Sequence, residues 1–336
     1  MSVTQLPENF TARPARMDDL QAVVALVNAC SMKHTGKLTM DEGEFLTDWN
    51  MPTLNLETDT WAVFAPQNKL VGHVNVVDQA PHVRFWANVD VHPDYEGRLI
   101  GDYLRRWADE RARRSVAKAP QGARVVSRCG VDGTNTAAQA LLSQQGHQIV
   151  RHFFRMVIDL DAPPPEPVLP EGIVIRPFVR ERETLALIKA NRESFRDHWG
   201  HIETPIEEDV VEWEAWMTDP AFDESLWFVA MDGDEIAGFS LCFGVVAEGP
   251  DVGHVAALAV RRPWRRRGIA LALLHHSFGE LYRRGKTVMT LGVDGQNLTG
   301  ATRLYEKAGM RVRDRSVCYE KELRAGEDLT IQSVVD

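Results

Sequence analysis

Cysteine is scarce and scattered in this chain. Its 336 residues include four, Cys30, Cys129, Cys242 and Cys318, with no CxxC pair among them. That pattern excludes zinc-finger and disulfide-scaffold architectures and predicts reduced thiols in a cytoplasmic protein without a metal site. Long apolar runs are also missing. No stretch approaches the roughly 20 residues that cross a bilayer, and the opening MSVTQLPENFTARP has no apolar signal core, so no membrane partner is expected. The GxGxxG fingerprint of dinucleotide folds does not occur. GELYRRGKT at 279–287 imitates a nucleoside triphosphate loop, but it places five residues between its glycines where that loop has four, and it closes a helix. Positive charge is in deficit, with a net charge of −10, which argues against a nucleic-acid partner.

What is present describes a globular protein of two domains. The apolar fraction of 44% and the charged fraction of 26% are ordinary for one, and the length allows two cores. A Pro-rich, polar stretch, DLDAPPPEPVLPEG at 159–172, has the composition of a stiff linker. The halves on either side of it match in order. FTARPA at 10–15 aligns with IVIRPF at 173–178, and WAVFAPQNKLVGHVNV at 61–76 with WFVAMDGDEIAGFSLC at 227–242. CGVDGTNTAAQALLSQQG at 129–146 aligns with LGVDGQNLTGATRLYEKAG at 291–309. Three matches in one order indicate a duplicated domain. The boundaries predicted are 1–160, a linker at 161–170, a second domain at 171–325 and a tail at 326–336.

Each copy reads as mixed α/β. In the second, residues 173–178 are a short strand, 181–194 and 207–217 are helices, and LWFVAM and EIAGFSLCFGVV are strands around an Asp232-Gly233-Asp234 turn. GHVAALAV at 253–260 is a buried strand. A helix follows from about Gly268, with Leu271, Leu274, Phe278 and Leu281 on one face and Gly285 at its C-cap.

Between that strand and that helix stands RRPWRRRGIA, five arginines within residues 261–267. A strand, a loop and a helix start form a natural phosphate cradle, because the first amides of a helix have no internal partner and its dipole is positive there. Gly268 removes a Cβ where backbone must approach a ligand. Ala270 keeps the first turn open, and Arg265, Arg266 and Arg267 add charge around a pyrophosphate.

LAVRRPWRRRGIALALL resembles the central motif of the GCN5-related N-acetyltransferases, (Q/R)xxGx(G/A), as Arg265-x-x-Gly268-x-Ala270. NLTGATRLYEKAGM resembles the family's NxxAxxLYxxxGF segment through Asn297, Ala301, Leu304, Tyr305, Gly309 and Met310. The resemblance covers 171–323 well, and the first half as a weaker copy. It implies two tandem domains, each a mixed, mostly antiparallel sheet flanked by helices, with acetyl-CoA as co-substrate. It further implies that Arg265 to Leu271, Ile269 included, hold the pyrophosphate, that backbone groups of Leu258, Ala259 and Val260 pair with the pantetheine arm, and that Asn297 and Ala301 border it. Tyr305 would protonate the departing thiolate; as a helix-face aromatic it also fits a core. Asn297 also fits a plain N-cap.

In the first half, VDVHPDYEGRLIGDYLRRW at 89–107 sets Glu96 against Arg265, Leu99 against Gly268 and Gly101 against Ala270, while Leu142 or Ser143 replaces Tyr305. That copy is expected to have lost acetyl transfer, a division that resembles tandem acetyltransferases such as mycothiol synthase. For the base that takes the amine proton, His254 stands at the strand entering the site, where such sequences tend to carry Glu; a packed histidine fits the same position. RESFRDHWGHIETP at 192–205 offers Asp197, His198, Trp199 and Glu203 to hold an acceptor. The expectation is acetyl transfer to an amine of a small molecule by the second domain, in a chain whose two fused domains suffice as a monomer. A protein amine as acceptor, and a non-catalytic acyl-CoA sensor, are the rivals.

Overall fold

The computed structural model describes residues 5–296 and 300–330. Its chain divides into two compact units, one formed by residues up to His152 with Ser316–Leu329, the other by Phe153–Arg315 with Thr330 onward. Each unit is a mixed sheet with helices on it.

The first unit runs β1 (Thr11–Arg13), α1 (Leu20–Thr35), α2 (Glu42–Trp49), α3 (Leu56–Asp59), β2 (Thr60–Ala65), β3 (Lys69–Asp78), β4 (Arg84–Val91), α4 (Ile100–Ser115), β5 (Val125–Asp132) and α5 (Thr136–Gln144). Strands β1 to β4 pair antiparallel in chain order, and β4 meets β5 in parallel over Arg84–Trp86. Two helices, α1 and α2, press Val23, Leu26, Phe45 and Trp49 onto Ala62, Phe64 and Leu70 of the sheet.

Strand β6 (Gln148–Asp159) leads out of that unit, and the second follows as β7 (Ile173–Pro177), α6 (Arg180–Phe195), α7 (Ile206–Trp216), β8 (Trp227–Asp232), β9 (Glu235–Phe243), β10 (Val252–Val260), α8 (Ile269–Arg283), β11 (Val288–Asp294), α9 (Ala301–Lys307) and β12 (Arg311–Arg324). The order in this sheet is β7-β8-β9-β10-β11-β6, antiparallel except between β10 and β11. On one face α8 buries Leu273, Leu274, Phe278 and Leu281 against Met289 and Leu291. On the other, α6 and α7 bury Leu187, Ile188 and Trp213 against Trp227, Phe239 and Leu241. The helices and strands expected in this half are all present, each within a few residues of its expected ends. Leu271 alone leaves the expected buried face and is only partly covered.

The units are not the continuous halves that a division after residue 160 implies. Residues 153–159 of β6 pair with β11, in register from Asp159↔Val288 to Phe153↔Asp294, and so belong to the second unit. Residues 316–324 of β12 pair with β5, from Ser316↔Asp132 to Arg324↔Val125, and belong to the first. Each sheet is thus completed by the strand that closes the other half of the sequence. Hydrophobic patterning marks a strand without naming its partner, so this exchange is not readable from the chain alone.

Candidate active site

The second unit is open where β10 and β11 part. Their parallel register runs from Val252↔Val288 to Val255↔Leu291 and stops. At the same point β10 carries a bulge against β9 between Val255 and Ala257. An extra residue there re-aims the strand, so the edge at Leu258, Ala259 and Val260 faces a gap and not a neighbouring strand.

That gap is one wall of a cleft of about 790 Å³. Leu258, Ala259 and Val260 line it, with Arg265, Arg266 and Gly268 of the loop and Ile269, Ala270 and Leu271 of the first turn of α8. Ala301, Leu304 and Tyr305 close it from α9, and Ser194, Phe195 and His198 from the end of α6. Of the expected cofactor residues, Arg267 is not among the lining groups, and Asn297 lies outside the described residues. Gly268 is the N-cap of α8 at φ +90°, a left-handed conformation that strains any side chain, and a Cβ built there meets nothing within 4 Å.

The arginine stretch is mostly tethered. Arg261 donates to Glu193 at 2.7 Å and Arg262 to Asp197 at 3.0 Å. Arg265 donates to the carbonyls of Val260 and Ser194 at 3.0 and 3.1 Å, and Arg267 to Asp232 at 3.3 Å. Arg266, at φ +62°, has no such partner among the described residues and faces the cleft, as do Arg303 and Lys307 of α9. Sequence reasoning did not select Arg303 and Lys307. Their i, i+4 spacing beside Tyr305 was the available signal.

Tyr305 is 8% exposed, and burial pushes its phenol up to about 12. It therefore keeps its proton across the neutral range and is available only as a donor. His198 packs edge-on against Phe195 with ring centroids 4.5 Å apart, and burial holds its imidazole below the usual histidine range.

The remaining expected residues lie elsewhere. His254 is not a lining group. Its Nδ1 is 3.0 Å from the carbonyl of Thr290, and its Nε2 faces Arg155 Nη1 at 3.4 Å. Burial first, and the Arg155 cation second, bring it down to about 3. Arg155 in turn pairs with buried Glu248, which Arg313 holds at 2.8 Å from the other side. Asp197, expected to grip an acceptor amine, is already ionised and paired: its hydrogen bond from Arg262 holds it below the usual carboxylate range, and Arg265 stands 3.7 Å away. Trp199 packs toward Phe153, with rings 6.4 Å apart, and Glu203 is an exposed partner of Arg192 and Arg196, both at 3.4 Å.

A smaller cavity of about 330 Å³ occupies the corresponding place in the first unit. Leu99 caps α4 at φ +63°, so the left-handed cap persists there without its glycine. Leu142 is buried on α5, a helix without a tyrosine.

The profile of the acetyltransferase (GNAT) family matches residues 22–147 and again 185–310. This chain belongs to the GNAT family. It is 30% identical to a mycothiol acetyltransferase of Streptomyces scabiei over 256 residues, 75% of this chain and 77% of the relative. A second mycothiol acetyltransferase, from Thermobispora bispora, is 30% identical over 69% of this chain and 74% of its own. Among solved structures, a GCN5-related N-acetyltransferase from Sphaerobacter thermophilus superposes with a TM-score of 0.80 at 34% identity, covering 97% of this chain and 99% of that one. A tandem GNAT protein from the clavulanic acid biosynthesis pathway shares the fold, with a TM-score of 0.74 at 13% identity and coverage of 95% and 100%. The protein is an acetyl-CoA-dependent N-acetyltransferase built from two GNAT domains. No helix among the described residues is long and apolar enough to cross a membrane.

Proposed function

We propose that the second unit of this GNAT protein carries the reaction, moving an acetyl group from acetyl-CoA to the amine of a small molecule. One observation carries the reading: the start of α8, three cations without a partner among the described residues, an open strand edge and Tyr305 share a single cleft. The amides at the start of α8, with Arg266, Arg303 and Lys307, would hold the pyrophosphate and its neighbouring charge. Backbone groups of Leu258, Ala259 and Val260 would pair with the pantetheine arm, and one N–H would polarise the thioester carbonyl.

In the transfer the amine nitrogen bonds to the thioester carbon and the C–S bond breaks, giving an amide and free CoA. Two protons then need owners. Tyr305 donates one to the thiolate. His198 accepts the other from the amine, because the described residues lining the cleft include no carboxylate and no second imidazole. His254 is a poor base in this arrangement, since a proton taken at Nε2 would lie against the Arg155 guanidinium. The curated relatives are named for mycothiol, which favours a small-molecule acceptor over a protein one.

A panel of small amines, amine-bearing thiols and lysine peptides, followed by release of free CoA, tests this. Turnover with small amines supports the proposal. Turnover with peptides alone moves the acceptor to protein, and turnover with neither class overturns the proposed acceptor.

A further inference from the structure

The first unit builds its cavity around a different interior from that of the second. With Glu96 laid on Arg265, Gly97 falls on Arg266 and Leu99 on Gly268. The backbone supports this alignment: Gly97 and Leu99 are left-handed at φ +74° and +63°, as Arg266 and Gly268 are at +62° and +90°. Carried along α4 and α8, it sets Arg105 on Leu274 and Asp109 on Phe278. The second unit fills those positions with core side chains. The first buries an ion pair there, with Arg105 and Asp109 each 2% exposed.

Arg105 is held along one edge only. Nε donates to Asp109 Oδ1 at 3.2 Å, and Nη2 donates to the same oxygen at 2.7 Å and to Ser127 at 2.6 Å. Three of the five guanidinium N–H groups are then used. Nη1 is buried and has no hydrogen-bond partner among the described residues. Arg105 lines the cavity, whereas Asp109 and Ser127 do not, which leaves Nη1 as the nitrogen toward it. The Cys129 thiol, a cavity wall, stands beside the guanidinium, which opposes the upward push of burial on it. Sulfur is a weak acceptor, and it makes no hydrogen bond to Nη1. A buried charged donor without an acceptor is costly, and an acceptor entering the cavity removes that cost.

The charge around Arg105 sets the sign of that acceptor. Burial alone would raise Asp109, but Arg105 and Lys321, the latter at 2.7 Å, outweigh it and keep the carboxylate ionised. His147, 3.7 Å from Asp109, is neutral, brought down to about 4 by burial first and by Arg105 second. Two cations thus share one carboxylate, and the excess is positive. Glu96 and Asp102 also line the cavity, but they are paired with Lys33 and with Arg106 and Gln145. Alternation along β4 turns Asp90 to the sheet face opposite Ala87, Val89 and Val91. The described lining residues include no further Arg and no Lys, so the phosphates of a carrier find no counter-charge. The walls near Arg105 are apolar, with Ala87, Val89, Leu141 and Leu142, and the volume suits a small molecule.

We propose that the first unit binds the anion of a small apolar carboxylic acid, its carboxylate on Nη1 of Arg105 and its apolar body in the cavity, in place of a phosphorylated carrier. This does not depend on which unit performs the transfer.

The test uses the full chain and hexanoate as probe, titrated calorimetrically at neutral pH. Hexanoate should bind the wild type at least tenfold more tightly than 1-hexanol does, and Arg105→Leu, which copies the second unit, should erase that difference. Val89→Phe, which narrows the cavity and leaves the charge, should also remove hexanoate binding. Melting curves establish that each variant folds, and the comparison of the two probes on the wild type needs neither. Hexanoate binding no tighter than 1-hexanol overturns the proposal, as does undiminished hexanoate affinity in either folded variant. Loss of hexanoate binding when CoA is added overturns it too, because the anion would then occupy a cofactor site.

Discussion

Nε2 of His254 lies 3.4 Å from Nη1 of Arg155, and Nδ1 of the same ring lies 3.0 Å from the carbonyl of Thr290. With Nδ1–H donated to that carbonyl, the only lone pair on the ring is turned toward a cation. Protonation there is opposed twice, by burial and by the guanidinium, so the ring stays neutral through the working range. Replacing His254 with Asn should therefore leave the pH dependence of kcat/KM in place and lower kcat by less than about tenfold.

His198→Asn should behave differently. As a base His198 works in its neutral form, so the wild-type rate should rise with pH through a midpoint below the ordinary histidine value, in keeping with its lowered pKa. Removing it should flatten that limb and reduce kcat by about 10²-fold, within the usual range for a positioned base. A pH–rate profile of each variant separates the two histidines. An unchanged limb in His198→Asn would return that residue to a packing role against Phe195.

Acetyl-CoA should raise the melting temperature of the wild type. A ligand at about 100 times its Kd adds roughly 2.7 kcal/mol to the native state. Gly268→Glu puts a negative side chain onto the start of α8 in a conformation that only glycine adopts easily, and the ligand-induced shift should vanish. A shift that survives in the variant would move the cofactor away from this loop.

Tyr305→Phe keeps the ring and loses the proton. Acetyl-CoA affinity should change by less than about threefold, while kcat falls by about 10²-fold or more at neutral pH. Equal losses in both quantities would assign Tyr305 to the core of α9.

Glu248 sits between Arg155 and Arg313, 5% exposed. Burial alone would raise its pKa, but the two arginines outweigh that and hold it below the usual carboxylate range. A depressed folded pKa means that this stabilisation is complete above the unfolded value and is lost as pH falls through the folded one. Glu248→Ala should cost about 2–4 kcal/mol at pH 7, because it leaves Arg155 without its carboxylate and Arg313 with Asp314 alone. Urea unfolding at pH 7 and at pH 3 checks the sign: the difference between wild type and variant should shrink at the lower pH.

Much of the molecule could be read in one dimension because its determinants are local. The period of apolar residues in 269–281, the turn at Asp232-Gly233-Asp234 and the Gly268 cap each depend on neighbours a few residues away, and the structure forms them where the pattern places them. The same holds for the cleft-lining set from Leu258 to Leu271, which one strand, one loop and one helical turn bring together. Arg267 and Asp197 show the opposite case. Their partners, Asp232 and Arg262, lie 35 and 65 residues away, and a charge pattern does not say which charges are already spoken for.

The sequence by itself established the duplication, the glycine-capped helix start in the second half, and the replacement of Gly268 by Leu99 in the first. These are statements about order and local backbone, which the chain carries directly. Tertiary structure alone decided which strands complete each sheet, that Arg266 is the cleft-lining arginine of the stretch with no partner among the described residues, and that His254 faces Arg155. Each of those is a choice among distant partners, made by packing and charge only once the chain has folded.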